Sequence, residues 1–198
     1  MNQKQDDSKR RILDAAKACF ANSGYDQTSI RKICETADAN LALVAYYFGS
    51  KEKLYYTVIE QLHLEATRLF AGKDPVHNPR EALHHFIDTF TRMRTSNKQF
   101  HMLLRHELSS QNPRGEHIRR IISPYFDHLK KIVIAGKEQG VFVYESLELT
   151  LTFIASILVY PAYDSYLVVA PPEPDASAKA EAEQTAAFIF AGLHCKAM

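Results

Sequence analysis

Residues 24–55 read GYDQTSIRKICETADANLALVAYYFGSKEKLY, and two short helices in that stretch decide the fold. Ile30, Ile33, Cys34 and Ala37 share one face of a helix over about Ser29–Ala37, with Thr28 or Ser29 as its N-cap. A second helix runs from about Leu41 to Phe48 and stops at Gly49. Only Asp38-Ala39-Asn40 lies between them, the connection of a helix-turn-helix, and Ala37 and Ala39 are small enough to let the helices approach. Asn40 caps the second helix and leaves its first amides directed outward.

At about 100° per residue, Val44 and Phe48 fall together and are expected to anchor that second helix. Ala42, Leu43, Tyr46 and Tyr47 then point away from the seam. Two adjacent tyrosines and a leucine suit a docking face better than a solvated one; the competing reading packs them on the rest of the chain. Residues 1–57 carry nine basic and seven acidic side chains, the remainder 15 and 16. That asymmetry is slight, and placement says more. Arg31 and Lys32 lie in the first helix and Lys51 just past the second, where side chains reach phosphates flanking a groove. Thr28 and Ser29 offer neutral phosphate contacts, as do the amides opening the helix after Ser50.

Helical periodicity extends outward in both directions. Ile12, Leu13, Ala16, Cys19 and Phe20 form an apolar stripe that halts at Asn22-Ser23-Gly24. Ser50 opens a fourth helix, which Leu54, Val58, Leu62 and Leu69 carry to about Ala71 without a linker. Further helical stretches span about 80–95, 98–110, 114–139, 145–169 and 176–196, with Pro124 and Pro161 expected to kink them or mark their starts. Val141–Tyr144 is the best strand candidate and is too short to matter. The pattern predicts an all-α protein.

Composition narrows the function. The 198 residues are 46% hydrophobic and 24% charged with net charge +1, which excludes a disordered chain. The opening Met1–Arg10 is polar and carries acids, so no signal-peptide core is expected there. The longest uncharged run, Leu149–Tyr163, has 15 residues, against about 20 for a membrane span. Cys19, Cys34 and Cys195 are odd in number and widely spaced, which fits reduced thiols in the cytoplasm. Glu81, His84, His85 and Asp88 share a helix face and could ligate a metal, but ordinary surface histidines account for them, and neither metal nor cofactor is expected. Without a Gly-x-Ser-x-Gly turn or a glycine-rich phosphate loop, no catalytic residue is expected and the chain does not read as an enzyme.

The run Gly-Tyr-x-x-Thr-Ser-Ile-Arg-x-Ile, then Ala-x-Ala-Asn, then Tyr-Tyr-Phe-Gly-Ser-Lys-Glu-x-Leu-Tyr resembles the DNA-binding domain of the TetR family of transcriptional regulators, over about residues 8–67. The resemblance implies a homodimer of about nine helices. Residues 8–67 would bind a pseudo-palindromic operator in double-stranded DNA. Residues 68–198 would dimerise through the last two helices and bind a small-molecule effector that releases the repressor. The alternative is a helical small-molecule-binding or processing protein whose head is vestigial. The family's recognition positions fall on Leu41, Ala42, Leu43, Ala45, Tyr46 and Tyr47, and its phosphate positions on Thr28, Arg31, Tyr47 and Lys51. Leu41 and Ala45 depart from the family's usual polar residues, so readout is expected to lean on thymine methyls and DNA shape. For dimerisation, Leu147, Leu151, Ile154, Leu158 and Ala162 are expected to join Ala180, Ala187, Phe188 and Ala191. The effector pocket is expected to use Phe90 with His106, Tyr125 and Tyr160 as polar partners.

Overall fold

The computed structural model describes residues 2–67, 77–96, 98–108, 113–160 and 178–194. Among them are nine α-helices and no strand: α1 (Asn2–Gln27), α2 (Ile30–Ala37), α3 (Leu41–Phe48), α4 (Lys51–Thr67), α5 (Pro79–Ser96), α6 (Lys98–Leu108), α7 (Pro113–Glu138), α8 (Leu147–Val159) and α9 (Ala178–Gly192). Local chemistry sets the starts. Ser29, Asn40 and Ser146 accept from the amides of Lys32, Leu43 and Leu149, respectively. Asn78 accepts from the Glu81 amide at 3.1 Å, with Pro79 behind it in the position where a missing N–H costs nothing.

The first helix breaks at its expected end, Asn22-Ser23-Gly24. Gly24 leaves helical geometry, at φ 71° and ψ 176°, and a short helical segment beyond this kink reaches Gln27. The Thr28 hydroxyl closes this corner by donating to the Gly24 carbonyl at 2.7 Å, with the Cys19 carbonyl 3.0 Å away. At the other end of the chain α8 stops at Val159, short of the expected 169, and Tyr160 is non-helical at φ −110°, ψ 87°. Tyr160 precedes a proline, which disfavours helical backbone in the residue before it. Pro124 lies inside α7, whereas Pro161, Leu69 and Phe70 fall outside the described residues.

Contacts group the described residues into two compact units interleaved along the chain. One holds residues 1–65 and 98–121, so α6 and the opening of α7 belong with the helix-turn-helix. Its core takes Ile12, Ala16 and Phe20 from α1, Ile33 and Cys34 from α2, Val44 and Phe48 from α3, and Leu54, Val58 and Leu62 from α4. Leu103 and Leu104 of α6 and Ile118 of α7 join them. Tyr55 presents its edge to Phe20 at 4.8 Å between ring centroids and meets Tyr25 at 5.0 Å. Its hydroxyl donates to the buried Glu107 carboxylate on α6 at 2.7 Å.

The other unit holds residues 66–97 and 122–198. Here α5 packs along α9 and touches α8, burying Leu83, Phe86, Ile87, Ile154, Leu158, Ala186 and Ile189. Arg94 is buried among them, donates to the Leu158 carbonyl at 2.9 Å and is ion-paired with Glu181 of α9. Ile154 and Leu158, expected at a dimer interface, therefore face the protomer's own core. The stripe left uncovered is Leu149 and Phe153 on α8 and Tyr160 just past its end, with Ala187, Phe188 and Ala191 on α9, while Ala162 falls outside the described residues. After α7 the chain folds back so that Phe142 sits against Gly136, whose carbonyl accepts from the Phe142 amide at 3.0 Å.

A Cβ at Gly136 would overlap the Phe142 ring, which is buried and has little room to move. Gly136→Ala is expected to cost about 1–3 kcal/mol through overpacking, read as a lower urea midpoint with an unchanged m value.

Candidate nucleic-acid interface

The helix-turn-helix is held from inside and left bare outside. Val44 and Phe48 are the buried residues of α3, four apart as expected. Asp38 adopts the left-handed conformation and its amide donates to the Cys34 carbonyl, while the Ala39 amide reaches the same carbonyl at 3.0 Å. Arg11 of α1 approaches Asp38 at 3.8 Å and ties this turn to the first helix. The Asn40 side-chain oxygen accepts from Leu43 N at 2.9 Å, and Ser50 does the same for Lys53 N at 3.1 Å. Both helices that flank Gly49 thus begin on a side-chain cap.

What remains outward is a compact apolar and aromatic face. Leu41 is 59% exposed and Tyr46 74% exposed, with Ala42 and Ala45 exposed beside them. Leu43 and Tyr47 are half-buried. The Tyr46 and Tyr47 rings meet edge to face at 5.1 Å, an arrangement that braces both on a helix too short to hold them alone. Such a face can press on base edges and thymine methyls and offers two hydroxyls for hydrogen bonds.

Cations flank it. Arg31 is exposed and is paired with Glu35 one turn along at 3.3 Å, an ion pair weak enough to exchange for a phosphate. Ser29 is exposed, and because its oxygen only accepts from Lys32, its hydroxyl hydrogen is still available. The Lys51 ammonium lies 4.1 Å from the centre of the Tyr25 ring. Burial holds its pKa below the ordinary lysine value, with Asp26 opposing that shift and Arg114 reinforcing it. Thr28 departs from expectation. It is buried, and its hydroxyl is spent on the α1 carbonyls, so it shapes the corner instead of presenting a donor to a phosphate.

Tyr25, Glu107 and Arg114 were not among the expected residues. Arg114 donates to both Asp26 carboxylate oxygens, at 3.2 and 3.1 Å, and its guanidinium lies 3.9 Å from the Tyr25 ring centre. No local signal links residues 88 positions apart.

The residues expected around an effector are dispersed differently from the expectation. Phe90 and Tyr125 are buried in the second unit, and burial pushes the Tyr125 phenol up. Tyr160 is exposed at the end of α8, because the helix stops one residue before it and turns it to solvent. The His106 side chain lies outside the described residues. A groove of about 350 Å³ instead runs between α8 and α9, with Phe153, Ile157 and Phe188 on its walls. Glu81, His84, His85 and Asp88 do line one polar groove with Arg92 and Lys179. Among the described residues no group of three or more His, Cys, Asp or Glu is placed to hold a metal ion, and no helix is long and apolar enough to cross a membrane.

Comparison with known proteins agrees with this geometry. Residues 12–57 match the family described as bacterial regulatory proteins, tetR family, and residues 79–191 match the tetracyclin repressor-like C-terminal domain. The HTH-type transcriptional repressor NicS of Pseudomonas putida is 26% identical over 144 residues, which cover 71% of this chain and 68% of that protein. The HTH-type nicotine-responsive transcriptional repressor HdnoR of Paenarthrobacter nicotinovorans is 26% identical over 141 residues, covering 67% of this chain and 71% of that one. The crystal structure of HlyIIR, a hemolysin II transcriptional regulator, superposes with a TM-score of 0.74 at 28% identity, over 97% of this chain and 99% of that chain.

Thr28→Val removes the donor that satisfies the Gly24 carbonyl and is expected to cost about 1–3 kcal/mol. The loss is measured by thermal denaturation. Binding to duplex DNA by the folded fraction should keep its salt dependence, because no phosphate contact is lost.

Proposed function

The chain belongs to the TetR family of bacterial regulatory proteins, and from that premise we propose that it is a homodimeric repressor released from its operator by a small molecule. It is a DNA-binding transcriptional regulator and not an enzyme. The observation that carries the proposal is α3, an eight-residue helix anchored by the buried Val44 and Phe48, with Leu41, Ala42, Ala45 and Tyr46 exposed and Arg31 and Lys51 exposed or half-buried on the elements before and after it. A vestigial head has no use for that exposed aromatic face.

Residues 8–67 form the DNA-binding module in this reading and residues 68–198 the effector-binding and dimerisation module. Leu41, Ala42, Leu43 and Ala45 meet bases through apolar contact, and Tyr46 and Tyr47 add hydroxyls. Asn40, its oxygen committed to the cap, keeps its amide hydrogens for the DNA. Ser29, Arg31, Lys51 and the first amides of α4 hold phosphates. The uncovered stripe of Leu149, Phe153 and Phe188 makes the partner surface. Phe188 is 70% exposed, and a second copy packing α8 and α9 against the same pair buries it in an isologous four-helix interface. Two heads related by a twofold axis then read half-sites roughly 34 Å apart. The effector site lies in the second module, where Phe90 and Tyr125 supply interior surface; HdnoR, by its name, is a nicotine-responsive relative. The protein acts in the cytoplasm, where its operator is.

Release requires the effector to favour a head spacing that DNA does not accept, by about 1–3 kcal/mol. Helix α4 starts at the end of the recognition helix and is bonded to α6 through Tyr55 and Glu107, so tilting α4 moves the head with it.

Lys51→Ala is expected to weaken binding to all duplexes and lower the salt slope by about 1. Tyr46→Ala is expected to change the sequences enriched from random duplexes as well as the affinity. An unchanged set would remove Tyr46 from base recognition. Phe188→Glu should yield the 22.5 kDa monomer in light scattering where the wild type gives twice that mass.

A further inference from the structure

Tyr25 lies just beyond the bend at Gly24, and two cations approach its ring: Lys51 Nζ at 4.1 Å and Arg114 Cζ at 3.9 Å from the centroid. Both cations therefore rest on one aromatic ring. It has aromatic neighbours as well. Tyr55 meets it at 5.0 Å with planes at 68°, and Phe20 lies 6.0 Å away nearly parallel. Arg114 is fixed a second time by Asp26, to both of whose oxygens it donates, and its side chain is 17% exposed where that of Asp26 is 76% exposed.

The consequence falls on Lys51. A lysine is a point charge on a flexible stem, and holding its ammonium on an aromatic face narrows the conformations that it samples before any anion arrives. The ring that does the holding is itself fixed by Arg114, supplied by the first turn of α7. Arg114 repels Lys51 and Asp26 attracts it, and the ammonium stays on the ring with no direct ion pair among the described contacts.

We propose that Arg114 is a positioning residue for DNA binding: by fixing Tyr25 it sets the Lys51 ammonium beside the end of the recognition helix, ready for a phosphate. The proposal rests on Lys51 being a phosphate contact. It gives α7, which no sequence pattern connects to the operator, a direct part in affinity. It also makes the position of the α7 N-terminus a variable on which the strength of phosphate binding depends.

A double-mutant cycle on the full-length protein tests this, with a duplex enriched by the wild type from random sequence as the probe. Arg114→Gln is expected to lower affinity about two- to fivefold, the worth of one exposed cation–π contact. In a Lys51→Ala background the same substitution is expected to change nothing, since there is no ammonium left to position. A structural role would lower affinity equally in both backgrounds, and that outcome overturns the proposal, as does an Arg114→Gln protein that binds like the wild type. If Lys51→Ala alone leaves the salt slope intact, the phosphate reading itself falls and takes this one with it. Should Arg114→Gln melt early, Arg114→Lys keeps the charge and gives up the two-pronged hold on Asp26, and the cycle is repeated with it. A drop seen only when Lys51 is present supports the proposal, and an equal drop in both backgrounds defeats it.

Discussion

A single buried hydrogen bond, from the Tyr55 hydroxyl to the Glu107 carboxylate, organises the unit that carries the recognition helix. Both residues are almost fully buried, so neither polar group has water to fall back on. A hydrogen bond to a charged acceptor contributes roughly 1.5–3 kcal/mol, and removing one partner would leave the other stranded at greater cost. Burial, then the bond to Glu107, drives the Tyr55 phenol far above its ordinary pKa, so the donor keeps its proton throughout the range in which proteins fold. Tyr55 simultaneously supplies the ring against which Phe20 and Tyr25 pack. Helix α1, the bend at Gly24, α4 and α6 therefore meet at one side chain.

The second unit has an analogous centre built from a different pair. Arg94 enters an apolar interior and is tolerated because a main-chain carbonyl of α8 and a carboxylate of α9 both receive it. Where Tyr55 joins two helices through a neutral donor, Arg94 joins three through a charge. Such buried polar contacts restrict the ways in which otherwise featureless apolar helices can slide past each other. That restriction matters most for α8, whose thirteen residues contain only one charged group.

The same composition explains what was legible in the sequence. Helices α2 and α3 could be placed because their signals are local: Ser29 and Asn40 as caps, two small residues at the turn, and Val44 and Phe48 one turn apart. Helix α8, LELTLTFIASILV, is apolar on several faces, and its periodicity does not say which stripe turns inward. Packing against α5 and α9 decided for Ile154 and Leu158 and left Leu149 and Phe153 outside. Thr28 was illegible for a related reason. A threonine before a helix can cap the one after it or close the one before it, and only the bend at Gly24 makes the second choice the better bonded. Glu107 and Arg114 were beyond reach because their partners lie 52 and 88 residues away.

Helix α3 carries almost none of the burden of holding its fold together. Two buried side chains, Val44 and Phe48, anchor it, with the half-buried Leu43 and Tyr47 beside them and a cap outside the helix at its start. Leu41, Ala42, Ala45 and Tyr46 are therefore almost free of duty to stability, and exchanges at such exposed positions typically alter it by no more than about 0.5 kcal/mol. A lineage can rewrite those four letters without passing through unfolded ancestors. In evolutionary terms the protein's address is separable from its body, and duplicated copies can diverge in what they bind on DNA long before they diverge in how they fold.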